Sequence, residues 1–276
     1  MAEGARGYVL GADPAELERL NVQAAYYRPA TEDALRRGGL GPGMHVLDLG
    51  CGNGGVTFVA AELVGPDGSV HGVDAASEPL AQATSAAARR RLATVTFEQA
   101  DLLTYEPAQS VDALIGRLVL MYLPEPAAVV RRLAEKVTPG GLVLFQDFAM
   151  TSARQQPETE VFRVTLARVL QAFTAAGFPT EMGYGLGRVL RAAGLSQPQM
   201  SVAARWEEEP DAMAYRILAE VTRTLLPVMT RLGVATAAEV DVDTLESRLR
   251  RAAAEAGSGV GAPLLVTAWS RRDGAP

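Results

Sequence analysis

The stretch Val46-Leu47-Asp48-Leu49-Gly50-Cys51-Gly52-Asn53-Gly54-Gly55 limits what this chain can fold into more than any other. A short apolar run holding one acid breaks into glycines, and a second apolar stretch, Val56 to Val64, follows at once. That order reads as a buried strand, a tight turn and the first turns of a helix. Glycine has no Cβ and tolerates positive φ, so the turn's backbone can pass close to a ligand. The helix N-terminus behind it offers free N–H groups. Gly50-x-Gly52-x-x-Gly55 fits the dinucleotide pattern, in which a pyrophosphate meets that N-terminus. Asp48, two residues before the first glycine, argues against it, because a carboxylate there repels a pyrophosphate. It suits a cationic ligand such as the amino group of a methionine moiety. The bland alternative is a glycine turn with no ligand.

The 276 residues permit one large domain, and a hydrophobic content of 48% allows a sizeable core. A net charge of −6 gives no basic stripe for nucleic acid. Cys51 is the single cysteine, so no disulfide forms within the chain, which fits a reducing cytosol. Inside the glycine turn it reads as a small packing residue before a nucleophile. Met1 to Leu10 carry no signal pattern, and no run of about 18 apolar residues exists to span a membrane.

Asp13-Pro14-Ala15-Glu16 starts a helix to about Tyr27, and Pro29 opens a second helical stretch ending at Gly38-Gly39. From His45 on, strands and helices alternate. Strands are expected at His45–Leu49, Ser69–Val73, Thr94–Phe97, Val111–Ile115 and Leu142–Gln146, the last entered through the turn Pro139-Gly140-Gly141. Helices are expected at Gly54–Val64, Ser77–Arg91 with Ser77 as cap, and Glu125–Val137. This order predicts a parallel, doubly wound α/β sheet. Beyond Asp147, helical spacing covers Thr151–Ala176, Leu186–Ala193, Asp211–Leu232 (interrupted by Pro227) and Asp243–Ala256, the last with Asp243 and Glu246 as a capping box. Gly183-x-Gly185-x-Gly187 reads as a flexible loop. Gln199–Trp206 and Leu264–Ser270 read as further strands. One domain over residues 1–276 is expected: a helical cap at 1–44, a core at 45–150, and substrate-side helices with the last two strands at 151–276.

Ligands of such sheets bind outside the carboxyl ends of the strands. Asp74, Asp101 and Asp147 fall at three such ends. Each alone reads equally well as a helix cap or a solvated loop acid, but the set accompanies Asp48 and the glycines in order. With these residues, Val46–Phe148 resembles the core of the class I S-adenosylmethionine (SAM) methyltransferases, of the bacterial small-molecule type. The likeness rests on Asp-x-Gly-x-Gly-x-Gly, the acid after the second strand, Ala100-Asp101-Leu102, the stretch Arg117–Leu123, and Pro-Gly-Gly before the fifth strand.

The resemblance implies a Rossmann-like, seven-stranded mixed sheet of order 3-2-1-4-5-7-6 with added helical lid elements. It implies SAM as cofactor. Asp48 and the turn Gly50, Cys51, Gly52 and Gly54 would hold the methionine portion. Asp74 would bind the ribose with Ala75 beside it, and Asp101 and Leu102 would face the adenine. Arg117 and Leu118 would line the sulfonium end. Tyr8 and Gln23 lie in the lead-in, with Tyr26 and Tyr27, and are placed to close over the cofactor or simply to pack. The stretch 207–262 is longer than the minimal fold needs and is expected in a lid or a dimer contact, so a homodimer is among the expected partners. The other partner is a small-molecule acceptor.

Methyl transfer from a sulfonium is an in-line displacement that needs alignment and exclusion of water. No metal is expected, because no ligand cluster is present. His45 and His71 precede or sit inside strands, so the base for a hydroxyl acceptor would be an acid, a tyrosine, or nothing beyond a pocket that lowers the acceptor's pKa; Asp147 is the candidate, and it reads equally well as a cap for the helix after Thr151. The acceptor pocket is expected between the lead-in and the helices after Asp147, with Phe162, Leu166 and Tyr8 as candidates. An NAD(P) reductase is disfavoured, since no tyrosine stands four residues before Lys136, the only lysine. A SAM-binding protein that transfers no methyl, either regulatory or catalysing a rearrangement, remains the alternative.

Overall fold

A computed structural model of the chain describes residues 14–273. The chain divides into two units. Of the described residues, the sheet unit takes in Gln23–Phe148, Met182–Ala203 and residues 265–273; the helical unit takes in residues 14–22, Ala149–Glu181 and Ala204–Leu264.

In the sheet unit, β1 (His45–Leu49), β2 (Ser69–Asp74), β3 (Val95–Gln99), β4 (Val111–Arg117) and β5 (Val137–Ala149) are joined by helices that return the chain to the same edge, except that β3 passes to β4 through a loop. Those helices are α2 (Gly55–Val64), α3 (Ser77–Arg90) and α4 (Pro126–Ala134). β1 runs parallel to both β2 and β4, with Val46 opposite Val70 and Ala113. Later in the chain come α6 (Met182–Ala192), β7 (Gln199–Ala203) and β10 (Leu264–Arg271). The sheet order is β3-β2-β1-β4-β5-β10-β7. Counted among these seven strands alone, that is 3-2-1-4-5-7-6, as the resemblance implied. β10 is antiparallel to β7. It also runs against β5, because Gly140 and Gly141 bond to Arg272 while Gln146 bonds to Thr267.

Side chains alternate across the strands, as the pleat requires. Val46, Ala113, Ile115, Leu142 and Leu144 pack on one face with Val59 and Val64 of α2 and Leu35 of α1 (Pro14–Arg37). Leu47, Leu49, Leu114, Val143 and Phe145 pack on the other with Val130 and Leu133 of α4 and Leu186 and Leu190 of α6. Both faces are therefore covered, which a parallel sheet needs.

The helical unit has its own core. Here α5 (Glu160–Ala175) and α9 (Val242–Ala256) pack against α7 (Met213–Arg231), with the short α8 (Ala237–Val240) beside it. A small antiparallel sheet of order β6-β9-β8 completes it: β6 (Arg154–Gln156), β8 (Trp206–Glu207) and β9 (Gly259–Gly261).

Several local expectations are corrected. The two lead-in helices are one, α1, with Pro29 inside it; its missing N–H removes one bond without ending the helix. Ser77 is the first residue of α3, and its hydroxyl meets Glu78 without capping the helix. The turn Pro139-Gly140-Gly141 lies within β5, as an irregularity in its pairing with β4. The three glycines from Gly183 are helical, in α6; Gly187 lies against Met200, where a Cβ would come within 2.8 Å of its sulfur. Gln199–Trp206 is not one strand, because β7 and β8 belong to different sheets. The capping box lies at Thr236 and Glu239 of α8, while Asp243 pairs with Arg223 at 2.8 Å. The expected cap at Asp13 lies outside the described residues.

Candidate active site

The glycine turn leaves β1 at its carboxyl end and enters α2. Gly50, Gly52 and Gly54 all have positive φ, the region that favours glycine. A Cβ on Gly50 would strike Val119 at 2.5 Å and one on Gly54 would strike Phe58 at 2.7 Å, whereas one on Gly52 would meet nothing within 4 Å. The turn is therefore packed on its inner side and open on its outer side.

Asp48 lies beneath it, 1% exposed. Its Oδ2 accepts from the Thr57 hydroxyl of α2 at 2.6 Å. Its Oδ1 has no partner among the described residues. Burial pushes its pKa up to about 7, against the Thr57 hydrogen bond and the Arg117 charge, which lower it. Arg117, the last residue of β4, falls on the same face of the sheet by the pleat's alternation. It donates to the Thr31 hydroxyl of α1 at 2.9 Å, and its guanidinium reaches 3.3 Å from where a Gly55 Cβ would stand. Burial lowers its pKa to about 10, with Asp48 and Tyr27 holding it up. α1 thus meets the face of the sheet that carries Asp48 and Arg117 through Thr31 and through Tyr27, whose ring lies 5.0 Å from that of Phe148.

Asp74 ends β2, and its carboxylate is already engaged. Oδ2 accepts from the Gly52 N–H at 2.8 Å and Oδ1 from the Ala76 N–H at 2.9 Å. Burial raises its pKa while these backbone donors oppose the rise. The acid therefore braces the glycine turn against the end of β2. Ala75 beside it is exposed, and its carbonyl accepts from Gln99 at 3.0 Å. Cys51 is buried over Gly72, and burial drives its thiol pKa upward, consistent with a packing role.

Asp101 follows β3 and is exposed, with Oδ1 accepting from the Leu103 N–H at 2.9 Å. Leu102 is buried in the core. The Ala100 N–H donates to the Asp74 carbonyl at 3.0 Å, so this loop starts beside the ribose candidate. Leu118 has φ of +57° and donates to the Gln146 carbonyl at 2.8 Å; a branched residue in that region is strained.

Asp147 is 1% exposed. Oδ1 accepts from the Phe148 N–H at 2.9 Å, the Met121 backbone also donates to the carboxyl, and Oδ2 has no partner among the described residues. Burial raises its pKa to about 7. Alternation along β5 puts it with Val143 and Phe145, on the opposite face from Asp48 and Arg117. Gln23 is buried on α1; Tyr8 lies outside the described residues. In the helical unit Phe162 is buried and Leu166 half-buried. His45 meets Ser69, and His71 meets Thr96 and Glu98, all on the strands. Among the described residues no group of three or more His, Cys, Asp or Glu is placed to hold a metal ion.

The sequence reading passed over Thr57, Thr31 and Arg132. Thr57 carried a signal, being the one hydroxyl in the buried run Val56–Val64. Thr31 and Arg132 carried none, since their partners are remote in the chain.

Residues 40–177 match a family described as "Methyltransferase domain". The chain is 36% identical over 136 residues to trans-aconitate 2-methyltransferase of Methylobacterium nodulans, covering 49% of each chain. It is 39% identical over 120 residues to nocamycin O-methyltransferase of Saccharothrix syringae, covering 43% of this chain and 42% of that one. The chain thus spans about half the length of the curated relatives it matches. In structure it is similar to phosphoethanolamine N-methyltransferase 2 of Haemonchus contortus, solved with S-adenosylhomocysteine. That likeness has a TM-score of 0.56 at 17% identity, covers 89% of this chain and 53% of that one, and is a likeness of fold. Since the family match spans half of its 276 residues, the chain belongs to the methyltransferase domain family.

Proposed function

We propose that this chain transfers a methyl group from SAM to a small-molecule acceptor without a metal ion. The observation that carries the reading is Asp48: a buried carboxylate under an open glycine turn, with one oxygen lacking a partner among the described residues. A pyrophosphate above it would be repelled, and the ammonium group of a methionine moiety would be attracted. The cradle fits a methionine moiety, because the outer side of Gly52 is clear and the N–H groups at the start of α2 suit its carboxylate as Asp48 suits its ammonium group.

When bound, SAM supplies an activated methyl on its sulfonium. The protein's share is binding and alignment. Asp48 and the turn Gly50–Gly54 hold the methionine end. Each oxygen of Asp74 keeps a second acceptor site after its backbone bond, enough for ribose hydroxyls. Asp101 and Leu102 take the adenine, and Arg117 and Leu118 lie at the methyl end. Gln23, buried on α1, is the lead-in residue taken to close over the cofactor. Asp147, with its pKa near neutrality, is the carboxyl able to hold an acceptor's proton.

We take residues 45–150 as the donor-binding part of one enzyme and the helices of residues 151–276 as the part that selects the acceptor. Two relatives named for trans-aconitate and nocamycin support a small organic acceptor. The acidic composition argues against nucleic acid. A cytoplasmic setting accords with the buried, single Cys51, and no helix among the described residues is long and apolar enough to cross a membrane.

Calorimetry of the full chain tests the reading. Heat is expected with SAM and S-adenosylhomocysteine, unchanged in EDTA, and none with NADH. Tight NADH binding without SAM binding would overturn it.

A further inference from the structure

The loop after β3 is held from outside by one side chain. Asp101 organises its N–H groups: those of Thr104 and Tyr105 donate to the Asp101 carbonyl, at 3.0 and 2.8 Å, and that of Leu103 to the carboxylate. The carbonyls turn the other way, to Arg132 of α4. Its Nη2 donates to the Leu102 carbonyl at 2.6 Å and to the Leu103 carbonyl at 3.3 Å, and its Nη1 donates to the Tyr105 carbonyl. Nη1 also meets the Glu106 carboxylate at 2.9 Å. Leu102 and Tyr105 are buried in one cluster with Val129 and Leu133 of the same helix. The loop's backbone is thus strung between Asp101 and Arg132, and its start is tied to Asp74 through the Ala100 N–H.

A loop segment normally leaves such carbonyls to water, at liberty to reorient. A planar guanidinium with five fixed donors removes that liberty at three carbonyls together, which a flexible ammonium cannot reproduce. From this juxtaposition we propose that Arg132 is a positioning residue for base recognition. It does not touch the cofactor; it holds Asp101 and Leu102 in the geometry that receives the adenine and its exocyclic amino group. The proposal rests on the donor site described above.

The test measures binding of S-adenosylhomocysteine and of S-inosylhomocysteine, in which a 6-oxo group replaces the amino donor, to the full chain. The wild type should prefer the adenosyl ligand by about tenfold or more, the scale of a hydrogen bond to a charged group. Arg132→Met should weaken S-adenosylhomocysteine about tenfold and lose most of that preference; Arg132→Lys should fall between. Glu106→Gln, which removes the exposed ion pair alone, should bind as the wild type does. Thermal melting is recorded for each variant. If Arg132→Met does not fold, Arg132→Lys carries the test through its reduced base preference. Unchanged binding in a folded variant, or equal weakening of both ligands with the preference kept, overturns the role of Arg132 alone. A wild type that binds neither ligand overturns the donor site and this inference with it.

Discussion

Buried Gln155 and Ser258 of the helical unit and buried Asp48 and Asp147 of the sheet unit end differently, although Thr57 and Gln146 of the sheet unit are paired as well. In the helical unit, Gln155 donates to the Tyr215 hydroxyl at 3.0 Å and its Oε1 accepts from the N–H and hydroxyl of Thr159 at 2.8 and 2.7 Å. Ser258 likewise donates to the Pro157 carbonyl at 2.6 Å. These groups finish on their own neighbours. The exception, Arg250 Nε, belongs to a guanidinium that Glu246 holds at 2.6 Å. In the sheet unit, Asp48 and Asp147 each keep a buried oxygen with no partner among the described residues. A half-satisfied buried carboxyl costs stability, and such costs persist where a site is kept for a ligand.

The largest expected effect is on stability against pH. Asp147 and Asp48 have folded pKa values near 7, above the ordinary 3.8. Between those values the folded chain holds protons that the unfolded chain has lost. The stabilisation is therefore full below about pH 4 and is lost as pH rises through 7, by up to about 4 kcal/mol per group. Denaturant unfolding from pH 4 to 8 should show that fall, and Asp147→Asn should flatten its share. A parallel fall in the variant would make Asp147 a closed group like those of the helical unit.

Next comes Asp48→Asn, which keeps the shape and an acceptor for Thr57 but removes the charge. S-adenosylhomocysteine should bind about a hundredfold more weakly in calorimetry, roughly 3 kcal/mol. Wild-type affinity would erase the distinction between the units.

Asp74→Ala should cost about 1–2 kcal/mol in affinity and about as much in stability, because the Gly52 and Ala76 N–H groups lose their acceptor. The structure makes Asp74 a brace as well as a ligand candidate. A melting temperature equal to the wild type's would return it to a ligand role alone.

The smallest effect sharpens the contrast from the other side. Tyr215→Phe should lower stability by about 1 kcal/mol and leave S-adenosylhomocysteine affinity where it was. Weakened binding would show that the helical unit's closed network also serves the donor site.

The part legible in the sequence was the part whose causes are local. Apolar runs ending in an acid or glycine located β1 at its observed bounds and β2 to within one residue. Glycines in series with Asp48 located the turn. The misread elements were decided by distant partners. Gly183, Gly185 and Gly187 are poor helix formers, yet α6 takes them because Leu186 and Leu190 bury against α4 and Gly187 admits Met200. Pro29 suggests a break by its own chemistry, but Leu35 anchors the helix beyond it in the core.

The sequence by itself determined the order of strands and helices, the α/β class and the places of Asp48, Asp74, Asp101 and Asp147 at strand ends and the glycine turn, because periodicity, glycine spacing and strand-end carboxylates are written along the chain. Tertiary structure alone decided which acids are open and which are braces. It set Asp48 and Arg117 on one face of the sheet and Asp147 on the other. It gave the carbonyls after Leu102 to an arginine 30 residues on. Those outcomes depend on burial and on pairs far apart in sequence, and no local pattern records desolvation or a remote partner.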